Sequence, residues 1–272
     1  MKITQHDKTR SLVRKAYGQA ARSGSCCSSS ACCGDRTAPA VEGEMGLSCG
    51  NPVGFSKIKK GMTVVDLGSG AGKDVFISAP LTGPKGKVIG VDMTPEMLKL
   101  AKTNLLKFKK RTGLANVEFR KGVIEKLPVK NAETDLVISN CVINLSPDKP
   151  AVFREAFRVL KPGGFIVVSD IVLNRKLPPA LKKHAGLYAA CVAGALQRRD
   201  YLAAIQEAGF TGIRLLTDKT YSSSGAGPDP ITSKAGKALD GAASSITVYA
   251  RKPRTLKPRQ TAPGFKVRGK RK

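Results

Sequence analysis

One stretch of the chain, Thr63 to Gly72, constrains the fold more than any other. Its sequence, TVVDLGSGAG, is an apolar, β-favouring run that leads directly into a glycine-rich turn. A short strand that is apolar on both faces is typical of a parallel sheet covered on both sides. Glycines let the backbone turn sharply and approach a ligand closely, because they lack a Cβ atom. The stretch therefore predicts a buried strand, a ligand-binding turn, and a helix whose free N–H groups face the same ligand.

A second apolar strand, Val88 to Val91, ends in the carboxylate Asp92. Asp92 follows the last glycine by about 20 residues, the spacing at which such an acid reaches a ribose hydroxyl. The glycines run G-x-G-x-G, which differs from the G-x-G-x-x-G pattern of pyrophosphate binders. Asp66 precedes the first of them, and a carboxylate there repels a pyrophosphate but suits a ligand with ammonium and sulfonium groups. The two strands predict a site for a nucleoside cofactor.

The rest of the chain alternates apolar strands with amphipathic helices, the pattern of an α/β fold. Strands are predicted over 117–120, 135–139, 165–169, 213–216 and 246–249, helices over 9–22, 73–79, 95–111, 149–160, 179–195 and 201–208, and a loop over 222–243. Ligands of open α/β sheets bind beyond the carboxyl ends of the strands, where the strand order reverses. Cys141 follows the fourth predicted strand, so we expect it at the floor of that crevice.

Charge and hydropathy limit the partners of the chain. The net charge is +27, and the last 22 residues hold ten Lys or Arg and no acid. This tail is predicted to be disordered. Its charge fits two interpretations. The tail could contact nucleic acid or another anionic surface, or it could simply be solvated; we favour the solvated tail, because no nucleic-acid recognition module accompanies it. No apolar run is long enough to span a bilayer and none resembles a signal-peptide core, so we expect a cytoplasmic protein with no membrane contact.

The chain has seven cysteines, and they fall into two groups. Four are clustered in a Ser-rich segment, and three stand alone: Cys26, Cys27, Cys32 and Cys33 in the first group, and Cys49, Cys141 and Cys191 in the second. The cluster fits mobile thiols better than a zinc knuckle, which stays an alternative. For Cys141 and Cys191 the alternative is an inert core thiol. Three thiolates without a histidine or carboxylate pattern suit a soft thiophile, and trivalent arsenic fits better than zinc, which usually takes four ligands.

The glycine stretch resembles motif I of the class I S-adenosylmethionine (SAM) methyltransferases, and LKPGG at 160–164 resembles the turn before their fifth strand. The resemblance implies a Rossmann-like α/β fold with a mostly parallel seven-stranded sheet, helices on both faces and a small C-terminal appendage. It also implies SAM as the cofactor. The residues it assigns to the cofactor are Asp66, Gly68, Ser69, Gly70, Asp92, Met93, Ile124, Glu125 and Asn140.

Over roughly residues 10 to 250 the chain resembles, more specifically, the arsenite SAM methyltransferases. The segments that carry the resemblance are GLSCGNPV, DLGSGAGKD, VIGVDMTPEML, ISNCVINLSPDK, REAFRVLKPGG, SDIVL and CVAGAL. It implies that Cys49, Cys141 and Cys191 bind trivalent arsenic, and that a methyl group passes from SAM to the thiol-bound metalloid in arsenic detoxification. We expect an N-terminal helix and Cys-rich segment over 1–44, a SAM-binding domain over 45–171, an arsenic-binding part over 172–250, and the tail over 251–272.

Methylation leaves arsenic formally pentavalent, so a thiol pair must return two electrons. Cys49 and one thiol of the 26–33 cluster are candidates, with thioredoxin or glutathione reducing the resulting disulfide; alternatively, the cluster only captures arsenite. Two other functions stay open. A methyltransferase for a small organic acceptor such as a quinone needs a proton acceptor, and His6 and His184 stand in no motif. A protein that binds thiophiles without catalysis is the other alternative.

Overall fold

The computed structural model describes residues 4–23, 42, 45, 50–176, 192, 194–221 and 241–255. Several predictions fall outside these residues. They concern the helix over 179–195, most of the loop over 222–243, and the tail beyond 255. They also concern every cysteine except Cys141, namely Cys26, Cys27, Cys32, Cys33, Cys49 and Cys191.

Helices and strands alternate along most of the described chain. The helices are α1 (Gln5–Ser23), α2 (Pro52–Phe55), α3 (Lys73–Thr82), α4 (Pro95–Thr112), α5 (Lys149–Val159) and α6 (Arg198–Glu207). The strands are β1 (Thr63–Leu67), β2 (Lys87–Asp92), β3 (Val117–Lys121), β4 (Thr134–Asn140), β5 (Leu160–Leu173), β6 (Thr211–Thr220) and β7 (Ala243–Arg251). A 3₁₀ turn, Ile143–Leu145, follows β4.

The strands form one sheet in the order β3-β2-β1-β4-β5-β7-β6. The first five strands are parallel, and β7 pairs antiparallel with both β5 and β6. The prediction of a mostly parallel, seven-stranded sheet is confirmed. The strand order reverses between β1 and β4, which opens a crevice at their carboxyl ends.

Alternation along the strands divides the buried side chains between the two faces of the sheet. On one face Val64 and Val88 pack with Phe76 of α3 and Phe108 of α4. On the other face Val65 of β1 packs in a cluster that includes residues of α5 and α6. Helices therefore cover both faces, which explains why β1 and β2 are apolar without interruption.

The starts of two helices near the crevice, α4 and α5, follow from local sequence. Pro95 occupies the first turn of α4, where its missing N–H has no helical partner to lose. Asp148 caps α5 by accepting a hydrogen bond from the main-chain N–H of Ala151 at 2.9 Å. These signals made the starts of the two helices predictable.

β5 differs from the prediction at its start. The turn expected over 160–164 is part of the strand, because Leu160 pairs with Thr134 and the left-handed Gly163 (φ +83°) absorbs a shift in register. β5 also continues across the domain boundary expected after residue 171, and β6 and β7 complete the same sheet. Within the described segments, no helix combines the length and apolar character needed to cross a bilayer.

Candidate functional site

A cavity of about 80 Å³ opens at the carboxyl ends of β1 and β4. Six residues that the sequence assigned to binding or catalysis line it: Asp66, Gly68, Ser69, Gly70, Asn140 and Cys141. The topological switch point of the sheet therefore brings the glycine turn and a cysteine from the fourth strand to one place. The cavity walls also include residues that sequence reasoning missed, namely Tyr17, Met45, Lys73 and Asp74.

The glycine turn has a conformation that larger residues cannot share. Gly68 has φ +66°, and a Cβ atom built there would stand 2.2 Å from a methyl carbon of Val142. The main-chain N–H of Gly70 donates to Asp92 Oδ2 at 2.9 Å, and that of Thr94 donates to Oδ1 at 2.8 Å. Asp92 thus links the end of β2 to the turn after β1, and Gly68 lets the turn approach the segment after β4.

Three carboxyl groups with little solvent exposure surround the turn: Asp66, Asp74 and Asp92 are 3%, 8% and 8% exposed. Burial raises the pKa of Asp66 well above its usual value, and the charges of Asp74 and Asp92 raise it further. Burial also raises the pKa of Asp92, although main-chain N–H groups of Thr94 and Gly70 oppose this. The site therefore holds acidic groups whose ionisation a bound cation would favour.

The residues present fit S-adenosylmethionine, which carries an ammonium and a sulfonium group. Asp66 offers a buried carboxylate at the cavity wall, and no described residue forms a hydrogen bond with the buried Ser69 Oγ. Asn140 Nδ2 donates to Asp74 Oδ2 at 3.0 Å, which orients this second carboxylate at the mouth of the crevice. When bound, SAM supplies an electrophilic methyl group.

Glu125, assigned from the sequence to the adenine subsite, lies outside the cavity lining and is covered by α1. Its Oε1 lies 3.4 Å from a guanidinium nitrogen of Arg10 and accepts a hydrogen bond from Ser146 Oγ at 2.8 Å. Met93 packs with Val13 and Tyr17 of α1 around the apolar cluster that includes Cys141. Ile124 is buried in the main core. We infer that α1 must shift before a whole nucleoside can enter beside these residues.

We expect Arg10→Ala to speed both association and dissociation of SAM by about two- to fivefold, the equivalent of one partly exposed ion pair. The substitution removes one of the contacts that hold α1 over the crevice, the ion pair with Glu125. Lys15→Ala is the matched control, because Lys15 is exposed on the same helix. The chain has no tryptophan and five tyrosines, so stopped-flow tyrosine fluorescence includes the signal of Tyr17 at the cavity wall. Equal rates in both variants would contradict a covering role for α1.

Cys141 has an unusual backbone conformation for a residue with a side chain. Its φ is +59°, in the left-handed region, which costs a non-glycine residue about 1–2 kcal/mol. The residue is 4% exposed and is disulfide-bonded in this structure. Cys141 must therefore be reduced before its thiol can bind a ligand.

The chain neighbours of the other two separate cysteines lie near Cys141. Gly50, which follows Cys49, accepts a hydrogen bond from Asn140 Nδ2 at 3.0 Å, and Asn140 directly precedes Cys141. Val192, which follows Cys191, packs against the same apolar cluster as Cys141.

Asp170, near the carboxyl end of β5, is a buried acid that does not line the cavity. It is 0% exposed, and its Oδ2 accepts a hydrogen bond from Tyr201 Oη at 3.0 Å. Burial raises its pKa to about 7, against the lowering effects of the Tyr201 hydroxyl, the charge of Lys149 and the main-chain N–H groups of Ile171 and Asn144. Below about pH 7 the neutral carboxyl group is therefore favoured in the folded protein.

Since the folded pKa of Asp170 lies above the unfolded value, its contribution to stability is lost as the pH rises from about 4 to about 7. We expect the wild-type protein to lose about 3 kcal/mol more unfolding free energy between pH 5 and pH 8 than Asp170→Asn does. Urea unfolding of both proteins at the two pH values measures this difference. The same loss in both would contradict a raised pKa at Asp170.

Comparisons with known proteins agree with this geometry. Residues 58–209 match the family model described as "Methyltransferase domain". An arsenite methyltransferase of Halobacterium salinarum is 41% identical over 77% of this chain and 59% of its own length, and one of Aquipseudomonas alcaligenes is 40% identical over 77% and 64%. The chain thus spans about three-fifths of the length of these relatives.

Solved structures agree with the sequence comparisons. An arsenic(III) S-adenosylmethionine methyltransferase from Chlamydomonas reinhardtii superposes with a TM-score of 0.64 at 37% identity, over 76% of this chain and 67% of that one. A phosphoethanolamine N-methyltransferase of Haemonchus contortus, solved with S-adenosyl-L-methionine, has a TM-score of 0.57 at 19% identity, over 73% and 50%, and shares the fold alone. The resemblance inferred from the sequence is confirmed. The family model covers more than half of the chain, and the sheet has the strand order and switch-point site described above; the chain belongs to the methyltransferase-domain family, with the class I SAM methyltransferase fold.

Proposed function

We propose that the protein transfers a methyl group from S-adenosylmethionine to trivalent arsenic held by the thiolates of Cys49, Cys141 and Cys191. One observation carries the proposal: Cys141 lines the same cavity as Asp66 and the glycine turn. Contacts of two described residues support it: Gly50 accepts a hydrogen bond from Asn140, and Val192 packs against the apolar cluster that includes Cys141. The relatives named as arsenite methyltransferases support the choice of acceptor.

The chain's contribution to the reaction is binding and orientation. Asp66, Asn140 and the turn over 68–70 hold the cofactor, and Asp92 holds the turn. The arsenic lone pair forms the new As–C bond as the S–CH₃ bond breaks, and S-adenosylhomocysteine leaves. A bound metalloid brings no proton, so no general base is required. The rate acceleration comes from holding the methyl donor and the arsenic acceptor in the correct orientation in one crevice.

The product is formally pentavalent, and two electrons from a thiol pair return it to the trivalent state. We assign this role to Cys49 with one of Cys26, Cys27, Cys32 and Cys33. The resulting disulfide is then reduced by thioredoxin or glutathione. We place the reaction in the cytoplasm, where such reductants are present, and take arsenic detoxification as its purpose.

The test is to incubate the reduced protein with SAM, arsenite and glutathione, and to separate the arsenic species by chromatography with mass-spectrometric detection. We expect methylated arsenic in stoichiometric excess over the protein. A panel of small phenolic and quinol acceptors is assayed in parallel. Methylation of an organic acceptor without arsenic methylation would favour the alternative enzyme, and arsenic binding with no methylation of any acceptor would favour a non-catalytic thiophile-binding protein.

A further inference from the structure

The turn that follows β4 carries Cys141, and buried polar contacts fasten this turn to β5. The main-chain N–H of Cys141 donates to the carbonyl of Ser169 at 2.8 Å. Three residues later, Asn144 Nδ2 donates to the carbonyl of Ile171 at 2.7 Å. The two acceptors, the carbonyls of Ser169 and Ile171, flank Asp170. The turn is therefore hydrogen-bonded to β5 on both sides of Asp170.

Helix α6 also contacts this junction between the turn and β5. Tyr201 of α6 donates its hydroxyl to Asp170 Oδ2 at 3.0 Å, and the Asn144, Asp170 and Tyr201 side chains are all 0% exposed. The Tyr201 ring packs edge-on against Phe153 of α5, with 5.3 Å between the ring centroids. Buried hydrogen bonds of this kind fix geometry because the alternative is an unpaired polar group away from water.

We propose that Asn144, Asp170 and Tyr201 form a clamp that positions Cys141 by holding its backbone in the left-handed conformation. A residue with a side chain keeps such a conformation only where its surroundings impose it. The direction of the thiol follows from the backbone, so the clamp decides where the sulfur lies in the crevice. The inference rests on the proposed function in one respect, since it takes that sulfur as an arsenic ligand.

The clamp residues act through Cys141 and make no contact with the cavity, because none of the three lines it. They are therefore positioning residues. A purely structural role for the same contacts would affect stability without singling out one cysteine. The distinguishing measurement must report on Cys141 itself.

The test compares Asn144→Ala and Tyr201→Phe with two matched controls. Asn116 is also a buried asparagine whose amide donates to main-chain carbonyls, those of Ala79 and Gly83, far from the turn. Asn116→Ala is thus the control for Asn144→Ala. Tyr249→Phe removes a tyrosine hydroxyl on β7 and is the control for Tyr201→Phe. Asp170→Asn is the conservative variant, since it keeps an acceptor for the Tyr201 hydroxyl.

Each full-length protein is reduced and alkylated with iodoacetamide, and the peptide that contains Cys141 is followed by mass spectrometry. We expect its alkylation rate to rise about tenfold in the two clamp variants, because local opening exposes a thiol that is otherwise buried. The controls and Asp170→Asn should stay within about twofold of wild type. In steady-state assays the KM for arsenite should rise about tenfold in the clamp variants, with kcat and the Kd for SAM little changed.

The two sets of measurements separate the clamp from the proposed function. Equal Cys141 alkylation in the clamp and control variants would overturn the clamp, whatever the stability of the proteins. If wild type methylates no arsenite, the proposed function fails. The alkylation rates then still test the clamp, because they do not depend on methylation. A rise confined to Asn144→Ala and Tyr201→Phe supports the clamp. Asn144→Ala provides the decision if Tyr201→Phe does not fold.

Discussion

Asp66→Asn should weaken SAM binding by about 10- to 100-fold, the effect expected when a charge-assisted contact is lost. Asp66 lies at the cavity wall, is 3% exposed, and has Asp74 and Asp92 as charged neighbours. Without a cation in the crevice, burial and these neighbours disfavour its ionised form. With a sulfonium and an ammonium group present, the ionised form is the better partner.

The same substitution should stabilise the protein in the absence of cofactor. Because the folded pKa of Asp66 lies well above the usual value, the wild-type carboxyl lowers stability at pH 8, and an amide does not. We expect a higher Tm for Asp66→Asn without SAM and a smaller rise in Tm when SAM is added. The affinity of the wild-type protein for SAM should also increase from pH 6 to pH 8, whereas that of the variant should change little.

Isothermal titration calorimetry and thermal unfolding at the two pH values measure these effects. Asp200→Asn is the control, because its carboxylate is half exposed on α6 and lies outside the cavity. Unchanged SAM affinity in Asp66→Asn would contradict the assignment of the cationic part of the cofactor to this carboxylate.

Cys141→Ser should lower arsenic methylation about 100-fold or more, because a serine hydroxyl is a poor ligand for a soft metalloid. The size and the backbone position of the side chain are nearly preserved, so SAM affinity should stay within about twofold of wild type. The loss should already be present in a single turnover, before any reductant is needed. Rapid-quench measurement of methylated arsenic with pre-bound SAM tests this directly.

A variant with Ser at Cys26, Cys27, Cys32 and Cys33 is the control for the loss of thiols as such. It should retain single-turnover methylation of glutathione-delivered arsenite. Its steady-state rate distinguishes the two roles considered for the cluster: a fall indicates electron donation, whereas unchanged turnover removes that proposal. Full activity in Cys141→Ser would exclude Cys141 as an arsenic ligand.

The fold was predictable where the signals are local. Val64 and Val65 form a strand that needs cover on both faces, Gly68 needs a positive φ, and Pro95 begins a helix; each of these follows from neighbouring residues. The placement of Asp66, Asn140 and Cys141 in one cavity was also predictable, because the switch point of such a sheet determines where strand ends meet.

The residues that were missed depend on contacts between distant segments. Tyr17 reaches the cavity through the packing of α1 across the crevice, which its helical periodicity alone does not determine. Asp74 is in the first turn of α3, where an acid is ordinary, and its contact with Asn140 spans 66 residues. The left-handed conformation of Cys141 had no sequence signal, since non-glycine residues rarely adopt it.

The most direct test of the account is X-ray absorption spectroscopy at the arsenic edge, on reduced protein that binds one equivalent of arsenite in the absence of other thiols. We expect three sulfur neighbours around arsenic in the wild-type protein and two in Cys141→Ser, and also two in Cys49→Ser and in Cys191→Ser. Three sulfur neighbours retained in Cys141→Ser would contradict it, because arsenic would then be bound away from the crevice that holds the methyl donor.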